Sequence, residues 1–442
     1  MTSRNYYNSL FSVFFAVCLL AQKANAQINI EINSGVSHPT TVAIHDPQCI
    51  NIQSMDYGIK IREVVINDLS NSGTFLIING TDLTERAVSQ HHTQFRNWHL
   101  VNANLLVTLQ VFYDNKTCTV RASYGIWDVL LKQLVESGSY EINQSGWRRI
   151  SHKIANSIYK KTLGVNGCFD SRIAFVLEKS KQKSKRLAIV DQDGANLIFL
   201  TDKNEYILSP RLDNKSQRLT YTTLPGGFNV SKLYVLDLVS GKKISVGDNR
   251  EELAFAGNFS PIQNKLIYCL AHNGATNIYE IDLNTGFKRS LTFYDNFIST
   301  SPSYSNDASQ ILFNSNLGGG QSQIYVMDCN GSHVRKLSVG KGVYRTPSFS
   351  PNGEWIAFTK ILGGVFYIGV MKQDGSDERL LTSGGLYEES PSWSSNSNTL
   401  VFSRQDNQKE NRLFMIDLNG CNERKFLYKV SGSQPFWSAE LE

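Results

Sequence analysis

The sequence predicts an α/β N-terminal domain followed by an all-β six-bladed β-propeller closed by a composite blade. Three observations carry this: a recurring phrase, a second phrase on the same beat, and a phase offset at the two ends of the array. The first phrase is Pro-x-aromatic-Ser, at Pro302–Ser305, Pro347–Ser350, Pro391–Ser394 and Pro435–Ser438. Weaker copies stand at Gly257–Ser260 and Pro210–Asp213. The anchors at 210, 257, 302, 347, 391 and 435 are 47, 45, 45, 44 and 44 residues apart. Short strands and tight turns repeating at that period are the signature of a propeller.

The second phrase is an apolar strand, then a turn of Asp or Asn with Gly, then a strand ending near Leu-Thr. Copies run Leu187 to Gly194, Leu233 to Gly241, Ile278 to Gly286, Ile324 to Gly331, Ile368 to Gly375 and Leu413 to Gly420. Glycine supplies the positive φ of tight hairpin turns, and Asp and Asn bond their own backbone, so these residues punctuate strands.

At the end of the array, Pro435–Ser438 is followed by only four residues, too few for a second strand. At its start, Arg172-Ile173-Ala174-Phe175-Val176 lacks the preceding anchor but parallels Trp355-Ile356-Ala357-Phe358-Thr359, the second strand of a unit. The strand missing at one end is the surplus at the other. The sixth blade is therefore expected to combine about 170–201 with 430–442, closing the ring without open sheet edges.

In chain order, residues 1–26 read as a secretory signal: Arg4, an apolar run from Leu10 to Ala21, and a small-x-small site at Ala24-Asn25-Ala26, with cleavage after Ala26. That run is too short to span a membrane, so the chain is expected to be exported rather than integral to a membrane. Residues 27–165 carry no repeat and are assigned to the α/β domain, and 166–442 to the propeller. Within the α/β domain, Met55–Leu69 has helical spacing through Ile59, Val64 and Leu69, and Asn71-Ser72-Gly73 stops it. Thr74–Ile78 reads as a strand. Leu105–Tyr113 and Cys118–Tyr124 read as a hairpin around Asp114-Asn115. A last helix places Trp147, Ile150, Ile154, Ile158 and Leu163 on one face, with Lys160 and Lys161 suiting its C-terminal end.

Without the signal, 42 basic residues face 39 acidic ones, and no basic run or basic-aromatic stripe speaks for nucleic acid. Six cysteines remain, with no CxxC pair and no metal-type spacing. Cys269 reads as a core residue, and Cys49 with Cys118 is the one bridge the sequence suggests. His91, His92 and His99 lack an HExxH motif or a carboxylate cluster, and read as a solvated loop. Gly318-Gly319-Gly320 lacks the Lys-Ser/Thr of a phosphate loop. Asp191-x-Asp193-Gly194 has the opening of a calcium loop but falls on a repeat turn. No GxSxG elbow occurs. No catalytic constellation, metal site or cofactor is expected.

What is left is a rigid disc with loops, a platform for protein binding. Propeller ligands usually meet the face where the innermost strands begin. Those positions are Phe255, Asn296 to Thr300, Tyr344-Arg345, Tyr387-Glu388-Glu389 and Ser433-Gln434, a mixture of aromatic and charged residues suited to an interface.

The chain resembles the TolB family, the periplasmic component of the Tol-Pal envelope system, over nearly its whole length. The resemblance rests on Arg148-Arg149-Ile150-Ser151-His152-Lys153-Ile154-Ala155-Asn156-Ser157-Ile158-Tyr159, then Leu163-Gly164 and Phe169-Asp170-Ser171-Arg172-Ile173-Ala174-Phe175-Val176. Asp68-Leu69-Ser70-Asn71-Ser72-Gly73-Thr74-Phe75 and the repeated anchors add to it. The chain departs from common members in the Lys-Ser-rich hairpin 179–185 and in Gly257-Asn258, which replaces the Pro-x of one anchor. The resemblance implies a non-enzymatic periplasmic scaffold that binds the lipoprotein Pal through the propeller face, with contacts around Leu253, Phe255, Asn296, Thr300, Tyr344, Arg345, Tyr387, Glu389 and Gln434. It implies that Gln27, Ile28, Asn29, Ile30 and Glu31 are offered to the inner-membrane protein TolA. Alternating Ile28, Ile30 and Ile32 suit an extended segment that adds to a partner sheet. Other outer-membrane proteins stand open as partners. The implied role is outer-membrane integrity and invagination during cell division. The alternatives are a periplasmic propeller enzyme and a propeller that binds a small ligand or metal.

Overall fold

The computed structural model describes residues 39–79, 95–179, 184–201, 206–225, 231–246, 253–427 and 429–441. The signal, the Gln27–Glu31 segment, His91 and His92 lie outside them. The N-terminal region is a mixed sheet with two long helices. Its elements are β1 (Thr40–Ile44), β2 (Gln48–Cys49), α1 (Ile52–Asn71), β3 (Phe75–Asn79), α2 (Phe95–Leu100), β4 (Leu105–Asp114), β5 (Thr119–Asp128), β6 (Gln133–Asn143) and α3 (Trp147–Leu163). The strand order is β3-β1-β4-β5-β6, with β2 alongside β4. β1 pairs in parallel with both β3 and β4, whereas β4, β5 and β6 form an antiparallel meander.

Helix α1 is capped by Asn51, whose Oδ1 accepts the Ser54 amide at 2.7 Å, leaving fewer orphan donors in its first turn. Its buried face is Ile61, Val64, Val65 and Leu69. Ile59, placed on that face by the sequence reading, is instead 44% exposed. The true stripe advances by four from Ile61 to Val65 to Leu69, as helical geometry requires. Helix α3 buries Ile150, Ile154 and Ile158 as expected, although Leu163 turns outward. Gly164 ends it in the left-handed region (φ 75°), its amide donating to Lys160 O at 2.8 Å. Together α1, α3 and the sheet enclose one apolar core that includes Phe75, Val107, Tyr124 and Phe169.

Six four-stranded antiparallel sheets follow. Blades one to five run Ile207–Val246, Leu253–Ser290, Ser299–Lys336, Val343–Leu380 and Glu388–Phe426, each ordered from its inner to its outer strand. Blade six takes its inner strand, Gly432–Trp437, from the C-terminal end of the array. It takes its other three, Arg172–Lys179, Ser184–Asp191 and Ile198–Phe199, from the start. Trp437 aligns with Ile173, and Gly432 with Leu177, so the composite blade forms as the phase offset requires. Trp355, Trp393 and Trp437 are buried between blades.

Each part of the anchor phrase has a separate task. The residue before the Pro position has positive φ in all six blades: Ser209, Ala256, Ser301, Thr346, Ser390 and Gln434, between 46° and 59°. A register shift falls at that point in every inner strand, so the phrase encodes a β-bulge that bends the strand lining the central channel. The final Ser caps the next turn. Ser305, Ser350 and Ser394 accept the amides of Gln310, Trp355 and Thr399 at 2.9–3.0 Å. In the weaker copy, Asp213 does the same for Arg218 at 3.1 Å. In blade six, Ser438 accepts the amide of Arg172 at 2.9 Å, across the chain break in the blade. Replacing Ser394 by Ala leaves the Thr399 amide buried without that acceptor. The expected cost is about 1–2 kcal/mol, read as a lowered midpoint in urea unfolding at unchanged slope.

Candidate binding face and channel

The direction of the inner strands fixes the two faces of the disc. Inner strands start at one face, which also carries the loops between second and third strands and the loops between blades. The opposite face carries the tight turns within the blades. The α/β module packs on this second face, against blades five and six. Arg149 clasps Asp170 with two hydrogen bonds at 2.9 and 3.1 Å and also reaches Leu441 O at 3.1 Å. Lys153 Nζ lies 3.2 Å from the same carboxylate. Asn156 donates to Glu440 at 2.6 Å and accepts the Phe169 amide at 3.0 Å. Asn422 in blade five donates to Asn71 O at 3.2 Å, and Gly73 (φ 70°) fits there because a Cβ would meet Asn422 Nδ2 at 2.6 Å.

At the centre of this interface is a buried charged cluster. Asp68 of α1 accepts from His152 Nδ1 at 2.7 Å and from Gln192 at 2.8 Å. Asp193, in the blade-six turn, is paired with Arg148 and lies 3.9 Å from His152 Nε2. His152 Nε2 and Arg148 Nε are buried without hydrogen-bond partners. Burial opposes charge on the imidazole, but the Asp68 carboxylate and its hydrogen bond, with Asp193 and Asp191 behind it, outweigh burial and raise the His152 pKa. Asp68, His152 and Asp193 bring ligand-type atoms within 4.8 Å of one another. The Arg148 guanidinium already holds the carboxylate that a cation would need, so the chemistry is that of an ion-pair network. Asp193 reads in the sequence as a repeat-turn residue within the opening of a calcium loop. The sole hint of the cluster is that Asp68 and His152 both fall within the family-like stretches.

Four of the nine sequence-derived residues, Thr300, Arg345, Glu389 and Gln434, line the central channel. Leu253 and Phe255 are half-buried at the start of the blade-two inner strand, and Asn296 is exposed in the loop before blade three. Thr300 Oγ1 accepts from Asn314 at 2.9 Å. Arg345 and Glu389 reach across from blade four to blade five, 3.6 Å apart. Burial raises the Glu389 pKa, opposed by Arg345. Tyr387 is 53% exposed and packs on Phe366 with ring centroids 5.1 Å apart. Gln434 Oε1 accepts the Ser209 amide at 2.6 Å, tying blade six to blade one. Tyr344 differs: it is wholly buried, its hydroxyl donating to Glu378 at 2.7 Å. Glu388 also points inward, held by Arg404 at 2.6 Å and Thr382 at 2.5 Å. Strand alternation sends neighbours to opposite faces, so Arg345 and Glu389 are presented where Tyr344 and Glu388 are not. Loops of the same face expose Phe293, Val339, Leu362 and Leu386, which the sequence reading passed over.

Cys49 and Cys118 are free thiols: Cys49 Sγ faces Ser54 O at 3.3 Å and Cys118 Sγ faces Asn115 O at 3.8 Å. The suggested bridge is not formed: the Cys49 thiol faces the first turn of α1, and the Cys118 thiol faces its own loop. Cys269 is buried as expected, and burial pushes its thiol up to about 12. Among the described residues, no helix is long and apolar enough to cross a membrane.

An α/β module clamped onto the closing blade of a six-bladed ring, with the far face uncovered among the described residues, defines a two-domain propeller protein. The TolB amino-terminal domain model matches residues 28–135, and the TolB beta propeller domain model matches 159–441. The chain belongs to the TolB family. It is 38% identical over 268 residues to the Tol-Pal system protein TolB of Rickettsia akari, covering 60% of this chain and 59% of that relative. It is 40% identical over 242 residues to the protein of the same name from Paramagnetospirillum magneticum, covering 54% of each. The matched region thus spans little more than half the length of these relatives. TolB from Acinetobacter baumannii has the same fold, with a TM-score of 0.78 at 22% identity, covering 91% of this chain and 97% of that one.

Proposed function

We propose that the protein is a non-enzymatic periplasmic scaffold of the Tol-Pal system that binds Pal through the open propeller face. On this reading, residues Gln27–Glu31 of the mature chain bind TolA, and the complex supports outer-membrane integrity and invagination during cell division. The observation that carries it is the division of faces. The module occupies the turn side, while the open side carries the Arg345–Glu389 pair, Tyr387 and the exposed apolar residues Phe293, Val339 and Leu386. An aromatic and apolar surface rimmed by charge is what a protein interface needs.

Calorimetry of the mature protein with the Pal domain of the same organism tests the reading. Saturable binding is expected, and Tyr387→Ala should weaken it by about 2 kcal/mol, as an exposed aromatic anchor does. No heat of binding would overturn it. Deleting Gln27–Glu31 should abolish TolA binding while Pal binding survives; retained TolA binding removes that part of the reading.

A further inference from the structure

One end of the α/β sheet presents leucines to solvent on two neighbouring loops. The first is the turn between β5 and β6, Val129 to Lys132, and the second joins α2 to β4. Leu105 at the start of β4 pairs with Asp128 at the end of β5, so the two loops leave the sheet side by side. The Val129 amide donates to Asn104 O at 3.1 Å and ties them together. Val129 is buried in one cluster with Trp98 and Ala103. Beyond this root, Leu130 is 72% exposed, Leu131 62% and Leu100 74%. Asp128 Oδ1 accepts the Leu131 amide at 2.7 Å, and the amides of Asn102 and Ala103 donate to His99 O and Trp98 O at 3.0 and 3.1 Å. These backbone donors are satisfied by the protein itself, which is the condition for a loop to enter a medium poor in water.

A second observation is the charge around the leucines. Arg96, His99 and Lys132 are all exposed on these loops and on α2. The one carboxylate within residues 95–104 and 128–133 is Asp128, half-buried and used on the Leu131 amide. Apolar side chains at loop tips, flanked by cations, match a lipid surface. The leucines can sink below the headgroups while the cations stay at the phosphates.

We propose that this end of the module docks on a membrane surface rich in anionic lipid. Leu100, Leu130 and Leu131 enter the boundary between headgroups and acyl chains, and Arg96 and Lys132 meet the lipid phosphates. Three leucines and two permanent cations give a reversible association rather than an anchor. The contact belongs to the α/β module and does not rest on the Pal reading, so the failure of one leaves the other standing.

The test sediments the mature chain with vesicles of phosphatidylethanolamine and phosphatidylglycerol, and separately with vesicles of phosphatidylcholine alone. Saturable binding to the anionic vesicles is expected, with binding to the neutral ones weaker by about tenfold or more. Leu130→Ser combined with Leu131→Ser should lower the binding by about tenfold or more, and Lys132→Gln by about fivefold. Val239→Ser, which alters an exposed apolar residue in a blade-one turn, should bind as the parent does and controls for general stickiness. Every substituted side chain faces solvent, so the unfolding midpoints should match the parent's. The reading is overturned if the anionic vesicles show no saturable binding, or if the folded double-leucine variant binds them as the parent does. A parent that sediments as a dimer and binds no vesicles, with a monomeric double variant, assigns the tips to a second copy and overturns it equally.

Discussion

Removing residues 432–442 is expected to unfold the whole ring rather than only its last strand. The deletion takes the inner strand of blade six, with its pairing to Arg172–Lys179. It also takes Trp437, which is 4% exposed and whose indole N–H donates to Ser171 at 2.8 Å. Ser438, Glu440 and Leu441 go with it, and each bonds the start of blade six or helix α3. The Trp437 side chain alone is worth about 3–5 kcal/mol by analogy with large-to-Ala changes in cores. That is a large part of the roughly 5–15 kcal/mol by which a domain is stable. The loss also bares the edge of the Arg172–Lys179 strand, which only closure conceals. A truncated chain should show no cooperative thermal transition, and Trp437→Ala should retain one at a clearly lower temperature. If the truncated chain melts at the parent's midpoint, the composite blade does not hold the ring.

The ring closure was legible in the sequence because it follows from counting. A period of about 45 residues and a half-unit of phase need no knowledge of packing. The same holds for α3, whose Ile150, Ile154 and Ile158 repeat by four. β1 was not legible: it is paired in parallel on both sides, so Val42, Ala43 and Ile44 are all buried and no alternation marks it. β6 failed for the opposite reason. Its sequence, QLVESGSYEIN, has no fully buried residue, and polar and glycine residues interrupt the half-buried row of Val135, Tyr140 and Ile142. In the propeller, Pro-x-aromatic-Ser announced core residues, yet its bulge and its turn cap appear only when strand register is seen. The candidate rim residues were picked by their place before each anchor, which is a topological inference. Their orientation was not, and so Tyr344 and Glu388 were grouped with the outward-facing Arg345 and Glu389. Asp193 was missed because it is a charged residue at a repeat position whose meaning comes from partners elsewhere in the chain, Arg148 and His152.

Breaking the interdomain cluster should cost as much as removing a core side chain, and its cost should depend on pH. Asp68→Ala leaves the buried His152 and the half-buried Gln192 without their shared acceptor and is expected to destabilise the protein by about 3–5 kcal/mol. The charges meeting here come from three elements: Asp68 on α1, Arg148 and His152 on α3, and Asp191 and Asp193 at the turn of blade six. Two close carboxylates, Asp68 and Asp193, face one permanent cation, so a protonated His152 completes the neutralisation. Because the folded His152 pKa is raised above its ordinary 6.5, its contribution is fully present below pH 6.5. It is lost as pH rises through the raised value, since the folded state then releases a proton that the unfolded chain has already lost. The midpoint difference between the parent and His152→Gln should therefore be largest in mild acid and shrink towards alkaline pH. Differential scanning calorimetry of both proteins across that range reads it directly. A difference that is constant with pH would mean that His152 is neutral in the fold and that the Asp68–His152 contact is an uncharged hydrogen bond. Since Asp193 belongs to the composite blade, the same titration also governs how firmly the module grips the strands that close the ring.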